Sequence, residues 1–164
     1  MSYDDIAIAP ISKTLTNEYT IELWVYLYLY VTTTISFTSY DIVWDKHIRI
    51  SITSTTNLLF VNCYPFSNTL DLTLFPEKLS VSIVNRQWTS IRCGADLNIK
   101  KFFLDPTETA ITTDPTTFPN LSSVGNVDLK FTHPSTVTNT GILFLREIKL
   151  WQLYNPKYAN TNRK

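Results

Sequence analysis

Residues 21–31 read IELWVYLYLYV. Ile21, Leu23, Val25, Leu27, Leu29 and Val31 alternate with Glu22, Trp24, Tyr26, Tyr28 and Tyr30. A strand points successive side chains to opposite faces, so this period of two makes one aliphatic face and one aromatic face with polar tips. The aliphatic face suits any core, and Ile21, Leu23, Val25 and Leu27 are expected inside, together with Ile148 and Leu150 near the other end of the chain. The aromatic face has three uses. It can pack beneath neighbouring segments, meet a protein partner or another copy, or stack on sugar rings. The residue types favour these in that order.

The same period recurs along the chain. Residues 40–52 alternate around a tight turn near Asp45 and Lys46, and further runs cover 57–64, 79–84, 88–93, 99–104, 127–131 and 141–154. Turn signals separate them: Pro65, Pro76, Asn85, Gly94-Ala95-Asp96, Asp105-Pro106, Pro134 and Asn139-Thr140-Gly141. Many short runs rich in β-branched and aromatic residues predict an all-β chain folded as a two-sheet antiparallel sandwich. With 164 residues, 44% of them hydrophobic, residues 1–164 read as one domain with its own core, free-standing or as one module of a longer chain.

Formal net charge is zero and only 17% of residues are charged. A nucleic-acid partner calls for a basic stripe, which the sequence lacks. No apolar run is long enough for a helical membrane span. Residues 1–13, MSYDDIAIAPISK, lack the basic start and apolar stretch of a secretory signal. Residues 106–123, PTETAITTDPTTFPNLSS, read as an exposed loop with at most one short strand. Thr112, Thr113, Thr116 and Thr117 are candidates for O-glycosylation there, and Asn120-Leu121-Ser122 is a sequon that would glycosylate Asn120. The competing reading is an ordinary polar loop. Glycosylation would place the chain outside the cell or on its surface.

Catalytic chemistry has little to stand on. Glycoside hydrolysis needs two carboxylates flanking one bond. Glu147 has Lys149 two residues on, and Glu22 is alone on its strand. His47 and His133 neighbour no nucleophile motif, so no catalytic residue is assigned and no cofactor is expected. Calcium is the one ion to consider. Asp96, Asn98, Asp105, Asp114 and Asp128 are oxygen donors in loops and strand ends, without a ligand spacing.

Four stretches together resemble laminin-G-like domains of the concanavalin-A-like lectin and glucanase superfamily. They are EYTIELWVYLY (18–28), IVWDKHIRISITSTTNLLFVNC (42–63), VNRQWTSIRCGADLNIKKFFLD (84–105) and GILFLREIKLWQLYN (141–155). They occur in the family's order, although Leu104-Asp105-Pro106 stands where the family has an Asp-Gly turn. The resemblance implies a jelly roll in which residues 20–30 pair with 143–153, with Glu22 opposite Lys149 and Trp24 near Trp151. It implies that Trp24 packs beneath neighbouring loops. It also brings the strands ending at Cys63 and Cys93 together as neighbours in one sheet, within disulfide reach. Two separate buried thiols are the alternative. The function implied is a non-catalytic extracellular or cell-surface module for protein contact or self-assembly, a building block of a glycosylated filament or matrix. A carbohydrate-binding lectin-like module is the alternative, and a polysaccharide-cleaving hydrolase is the more distant one. Trp24, Tyr26, Tyr28, Tyr30 and Trp151 are the candidate contact residues for a protein or glycan.

Overall fold

The computed structural model describes residues 12–29, 40–44, 48–55, 58–66, 77–113, 121, 126–132 and 141–156. These residues form strands β1 (Ser12–Thr14), β2 (Glu18–Leu29), β3 (Tyr40–Trp44), β4 (Ile48–Thr55), β5 (Leu58–Tyr64) and β6 (Leu79–Ile83). The chain continues as β7 (Thr89–Asp96), β8 (Lys101–Leu104), β9 (Thr107–Ala110), β10 (Asn126–Thr132) and β11 (Gly141–Trp151). One sheet has six strands in the order β1-β10-β3-β4-β5-β6, and the other has five in the order β11-β2-β7-β8-β9. Every pairing is antiparallel. The fold is the all-β jelly-roll sandwich expected from the alternating runs. No helix among the described residues is long and apolar enough to cross a membrane.

The core lies between the sheets. From β2 come Tyr19, Ile21, Leu23, Val25 and Leu27, and from β7 come Ile91, Cys93 and Ala95. The facing sheet supplies Ile48, Ile50 and Ile52 from β4 and Leu59, Val61 and Cys63 from β5. The expected burial holds fully for Ile21, Leu23, Val25 and Leu27, each 0% exposed. Ile148 and Leu150 are only half-buried, because β11 is the edge strand of its sheet.

β11 pairs with β2 as the sequence implied, and Lys149 stands opposite Glu22. Trp24, however, stands opposite Arg146, and Trp151 stands opposite Thr20. The register shifts between Arg146 and Lys149, where Glu147 has φ 53°. The sequence explains the shift. Leu143 and Leu145 point inward at odd positions, whereas Ile148 and Leu150 point inward at even ones. A strand cannot change phase without an extra residue, and the bulge at Glu147 supplies it.

Gly94-Ala95-Asp96 was a turn signal by composition, yet β7 runs through it and the turn follows at residues 97–100. Gly94 serves close approach instead. A Cβ there would lie 2.2 Å from the Tyr19 carbonyl oxygen and 2.9 Å from the Phe103 ring. The glycine therefore lets the β2 backbone and an aromatic ring of β8 come close from either side. Asp96 caps the following turn, accepting the Asn98 N–H at 2.9 Å.

Two buried polar side chains find partners, one between the layers and one within the six-stranded sheet. The Tyr19 hydroxyl donates to the Pro65 carbonyl at 2.5 Å and so ties β2 to the segment after β5. Asn62 donates to Ser51 at 3.2 Å and to Thr53 at 3.0 Å, and accepts from Ser80 at 2.6 Å. Burial pushes the Tyr19 hydroxyl and the Cys63 thiol well above their ordinary pKa values.

Two measurements follow from this core. Leu23→Ala should lower the free energy of unfolding by about 2–5 kcal/mol, read from urea denaturation, because a fully buried leucine leaves a cavity. Stability should also fall with alkaline pH. Both raised groups stay protonated in the fold and ionise once unfolded, so their contribution is complete below about pH 8.5, the ordinary thiol value. It is lost as pH rises, first through Cys63 and then, above about pH 10, through Tyr19, with a limiting slope of about 1.4 kcal/mol per pH unit for each group. Urea midpoints of reduced protein between pH 7 and pH 11 should show this, and Cys63→Ala should flatten the first part of the decline.

Candidate binding face

The inward row of β2 fixes its outward row. Thr20, Glu22, Trp24, Tyr26 and Tyr28 face away from the core, joined by Phe144 and Arg146 of β11 and by Arg92 of β7. This outer face has two halves. In one, the C-terminal segment lies across the sheet. Thr20 Oγ1 donates to the Leu153 carbonyl at 2.6 Å, Tyr154 meets the Phe103 ring edge-on at 5.5 Å, and its hydroxyl donates to Glu108 at 2.6 Å. Beside it, Arg92 bridges Glu22 at 3.5 Å and Asp105 at 3.6 Å.

The other half is an open depression of about 500 Å³ lined by Tyr26, Tyr28, Trp88 and Phe144. Tyr26 sits between two rings, 5.4 Å from Trp88 and 5.8 Å from Phe144, the latter edge-on. These separations and tilts are those of favourable aromatic pairs, which hold the rings in place without hiding their faces. Phe144 is 47% exposed, and Trp24, Tyr26, Tyr28 and Trp88 are half-buried. Arg146 covers Trp88 with its guanidinium 4.1 Å from the ring centroid and Trp24 at 5.2 Å. Arg86 covers Tyr28 at 4.3 Å. The turn between β6 and β7 is pinned against this face by a bond from the Arg86 N–H to the Leu27 carbonyl, 2.7 Å long.

Trp24, Tyr26 and Tyr28 are thus brought together as the alternation required. Trp24 is covered by a side chain of the adjacent strand, Arg146. Trp151 is not part of the group. It lies opposite Thr20, four residues along β2 from Trp24, or roughly 13 Å at strand rise. Tyr30 lies outside the described residues. Trp88, Phe144, Arg86 and Arg146 were missed. Phe144 and Arg146 share the outward phase of β11, a signal that becomes readable only once the register against β2 is known. Trp88 and Arg86 belong to a turn whose docking on β2 has no sequence signature.

The remaining candidates are occupied or lie elsewhere. Asp96 caps its turn and Asp105 pairs with Arg92, while Asp114 lies outside the described residues. Among the described residues no three His, Cys, Asp or Glu side chains are grouped to hold a metal ion. Glu22 and Asp105 share a face, but the Arg92 guanidinium fills the space between them that a scissile bond would need. Thr112 and Thr113 donate through both N–H and hydroxyl to Glu77, at 2.7 to 3.3 Å. Thr116, Thr117 and Asn120 lie outside the described residues, as do His47 and His133. Cys63 and Cys93 are free, buried thiols that line one small cavity, and their strands are not neighbours in one sheet. β5 and β7 belong to opposite sheets, and Cys93 sits within β7, not at its end.

No family model matches the chain, and no curated protein does. Solved structures do. The binding domain of botulinum neurotoxin DC in complex with rat synaptotagmin II matches with a TM-score of 0.52 at 8% identity, over 92% of this chain and 35% of that one. A botulinum neurotoxin type C structure, whose description makes cell entry dependent on two ganglioside molecules, matches with a TM-score of 0.51 at 10% identity. That match covers 88% of this chain and 34% of the other. Sheep galectin-11 in complex with glycerol has a TM-score of 0.43 at 12% identity, over 87% of this chain and 96% of that one. The chain spans about a third of the length of the two toxin chains. At these identities the likeness to the toxin domains is one of fold, a β-sandwich of the lectin-like kind.

Proposed function

We propose that the protein is a non-catalytic, lectin-like binding module that works outside the cell or at its surface and holds glycans on the outer face of its five-stranded sheet. The observation that carries this reading is the open depression lined by Tyr26, Tyr28, Trp88 and Phe144. A pyranose ring has an apolar face of C–H groups and a rim of hydroxyls. Flat, half-exposed rings that are already braced against one another offer surface for the first, at little cost in side-chain entropy, and tyrosine hydroxyls offer hydrogen bonds for the second. The segment 152–155 covers the neighbouring half of the face and leaves this half open. The absence of catalysis is part of the proposal. Its support is that Glu22, Glu77, Asp96, Asp105 and Glu108 are each engaged in a structural contact.

A second reading, contact with a protein or another copy of the chain, has its own support. Phe144, Trp151 and Leu153 are 47%, 41% and 55% exposed along the edge strand β11 and the segment after it. Apolar side chains beside a strand edge that no other described strand pairs suit association.

One experiment separates the two. The wild type should bind a defined set of glycans on a printed array and remain monomeric in light scattering over a wide concentration range. Tyr26→Ala with Trp88→Ala should lower affinity for those glycans at least about fivefold, the loss typical of aromatic anchors, with the fold intact by circular dichroism. An empty array together with concentration-dependent association would refute glycan binding and favour the second reading.

A further inference from the structure

Arg146 holds a particular place at the rim of the aromatic depression. It stands opposite Trp24, and Phe144, opposite Tyr26, precedes it by two residues on the same face, or roughly 7 Å along the strand. Its guanidinium lies 4.1 Å from the Trp88 ring centroid and 5.2 Å from that of Trp24. A guanidinium over a ring presents its flat face to it and keeps its N–H groups in the plane for an acceptor. Among the described residues the N–H groups of Arg146 make no hydrogen bond or ion pair, and the residue is exposed. The other arginines of this face differ. Arg92 is taken up by Glu22 and Asp105, and Arg86 is engaged as well.

The fork of a guanidinium reaches two acceptor oxygens set side by side. Glu147, exposed in the bulge that follows Arg146, offsets its charge, so neutral oxygens suit this position better than an anion. Two neighbouring hydroxyls of a sugar are such a pair. Trp88 both lines the depression and carries the guanidinium, so a sugar seated there has its hydroxyl rim within reach of Arg146. We propose that Arg146 is the specificity-determining residue of this face and reads the relative orientation of two neighbouring hydroxyls on a neutral hexose. This rests on the glycan reading above. Contact with two tryptophan rings holds the fork in one orientation before the ligand arrives, so little side-chain entropy is lost on binding. A fork fixed in this way meets one hydroxyl pair with two bonds and its epimer with one, and the unmet donor counts against the epimer.

The test uses matched trisaccharides that differ only in a terminal glucose, galactose or mannose, on a printed array and then in calorimetry. Galactose and mannose each differ from glucose in the orientation of one hydroxyl. The wild type should bind one of the three at least about tenfold more tightly than the others, the effect of a hydrogen bond to a charged group made in one complex and missing in the next. Arg146→Met keeps an apolar stem against the rings and removes the fork. It should reduce the discrimination to within about twofold by weakening the preferred sugar alone, with circular dichroism and tryptophan emission unchanged. Arg146→Lys keeps the charge without the fork and should restore only part of the preference. A residue that merely holds Trp88 in place would behave differently. Its loss would weaken all three sugars by one factor and keep their ranking, and that result would overturn the proposal. Equal binding of the three by the wild type, or binding confined to acidic glycans, would also overturn it and leave the glycan face standing. Absence of binding to every glycan would overturn both.

Discussion

β2 must serve two neighbours and two faces at once. It is hydrogen-bonded to β11 on one side and to β7 on the other, and its inward row from Tyr19 to Leu27 runs through the middle of the core. Moving this strand by one residue would put Trp24, Tyr26 and Tyr28 inside and four aliphatic side chains in water. Ile21, Leu23, Val25 and Leu27 are fully buried, so such a slip costs far more than any surface contact returns. The outer aromatic row is therefore a consequence of the core, held where it is by residues that never touch it.

The candidate site is built by departures from regular geometry at its margins. Without the bulge at Glu147, β11 would bury either Leu143 and Leu145 or Ile148 and Leu150, but not both pairs. With it, the strand packs both pairs and still lays Phe144 beside Tyr26 and Arg146 beside Trp24. On the other side, the left-handed conformation of Arg86 and its bond to Leu27 bring Trp88 and the Arg86 side chain onto the same rings. The chain has three glycines in all, and among the described residues the left-handed backbone positions are taken by Arg86, Lys100 and Glu147.

Charge behaves in the same local way. A formal net charge of zero argues against a strongly charged partner for the molecule as a whole. Across the outer sheet, however, charges are sorted. Glu22 and Asp105 are tied to Arg92 in the covered half, whereas Arg86 and Arg146 lie over rings in the open half.

The period of two, recurring from residues 21–31 along the chain, was enough to determine an all-β chain, the buried row of β2 and the grouping of Trp24, Tyr26 and Tyr28, because strand alternation is a local property. The pairing of β2 with β11 was legible from the family resemblance, and Glu22 does face Lys149. The phase change between Leu145 and Ile148 was present in the letters, but it becomes a bulge only when the neighbouring strand is specified. Gly94 was misread as a turn because the reason for a glycine there is the close approach of the Tyr19 carbonyl and the Phe103 ring, both contributed by other strands. Cys63 and Cys93 were read as neighbours in one sheet, since nothing in their own segments says which sheet each joins. Trp88, Phe144, Arg86 and Arg146 complete the face from two other parts of the chain. Local sequence sets where a side chain points, but which side chains meet is decided by register and by the order of strands in a sheet, and those are fixed only when the two layers bury their aliphatic rows against each other.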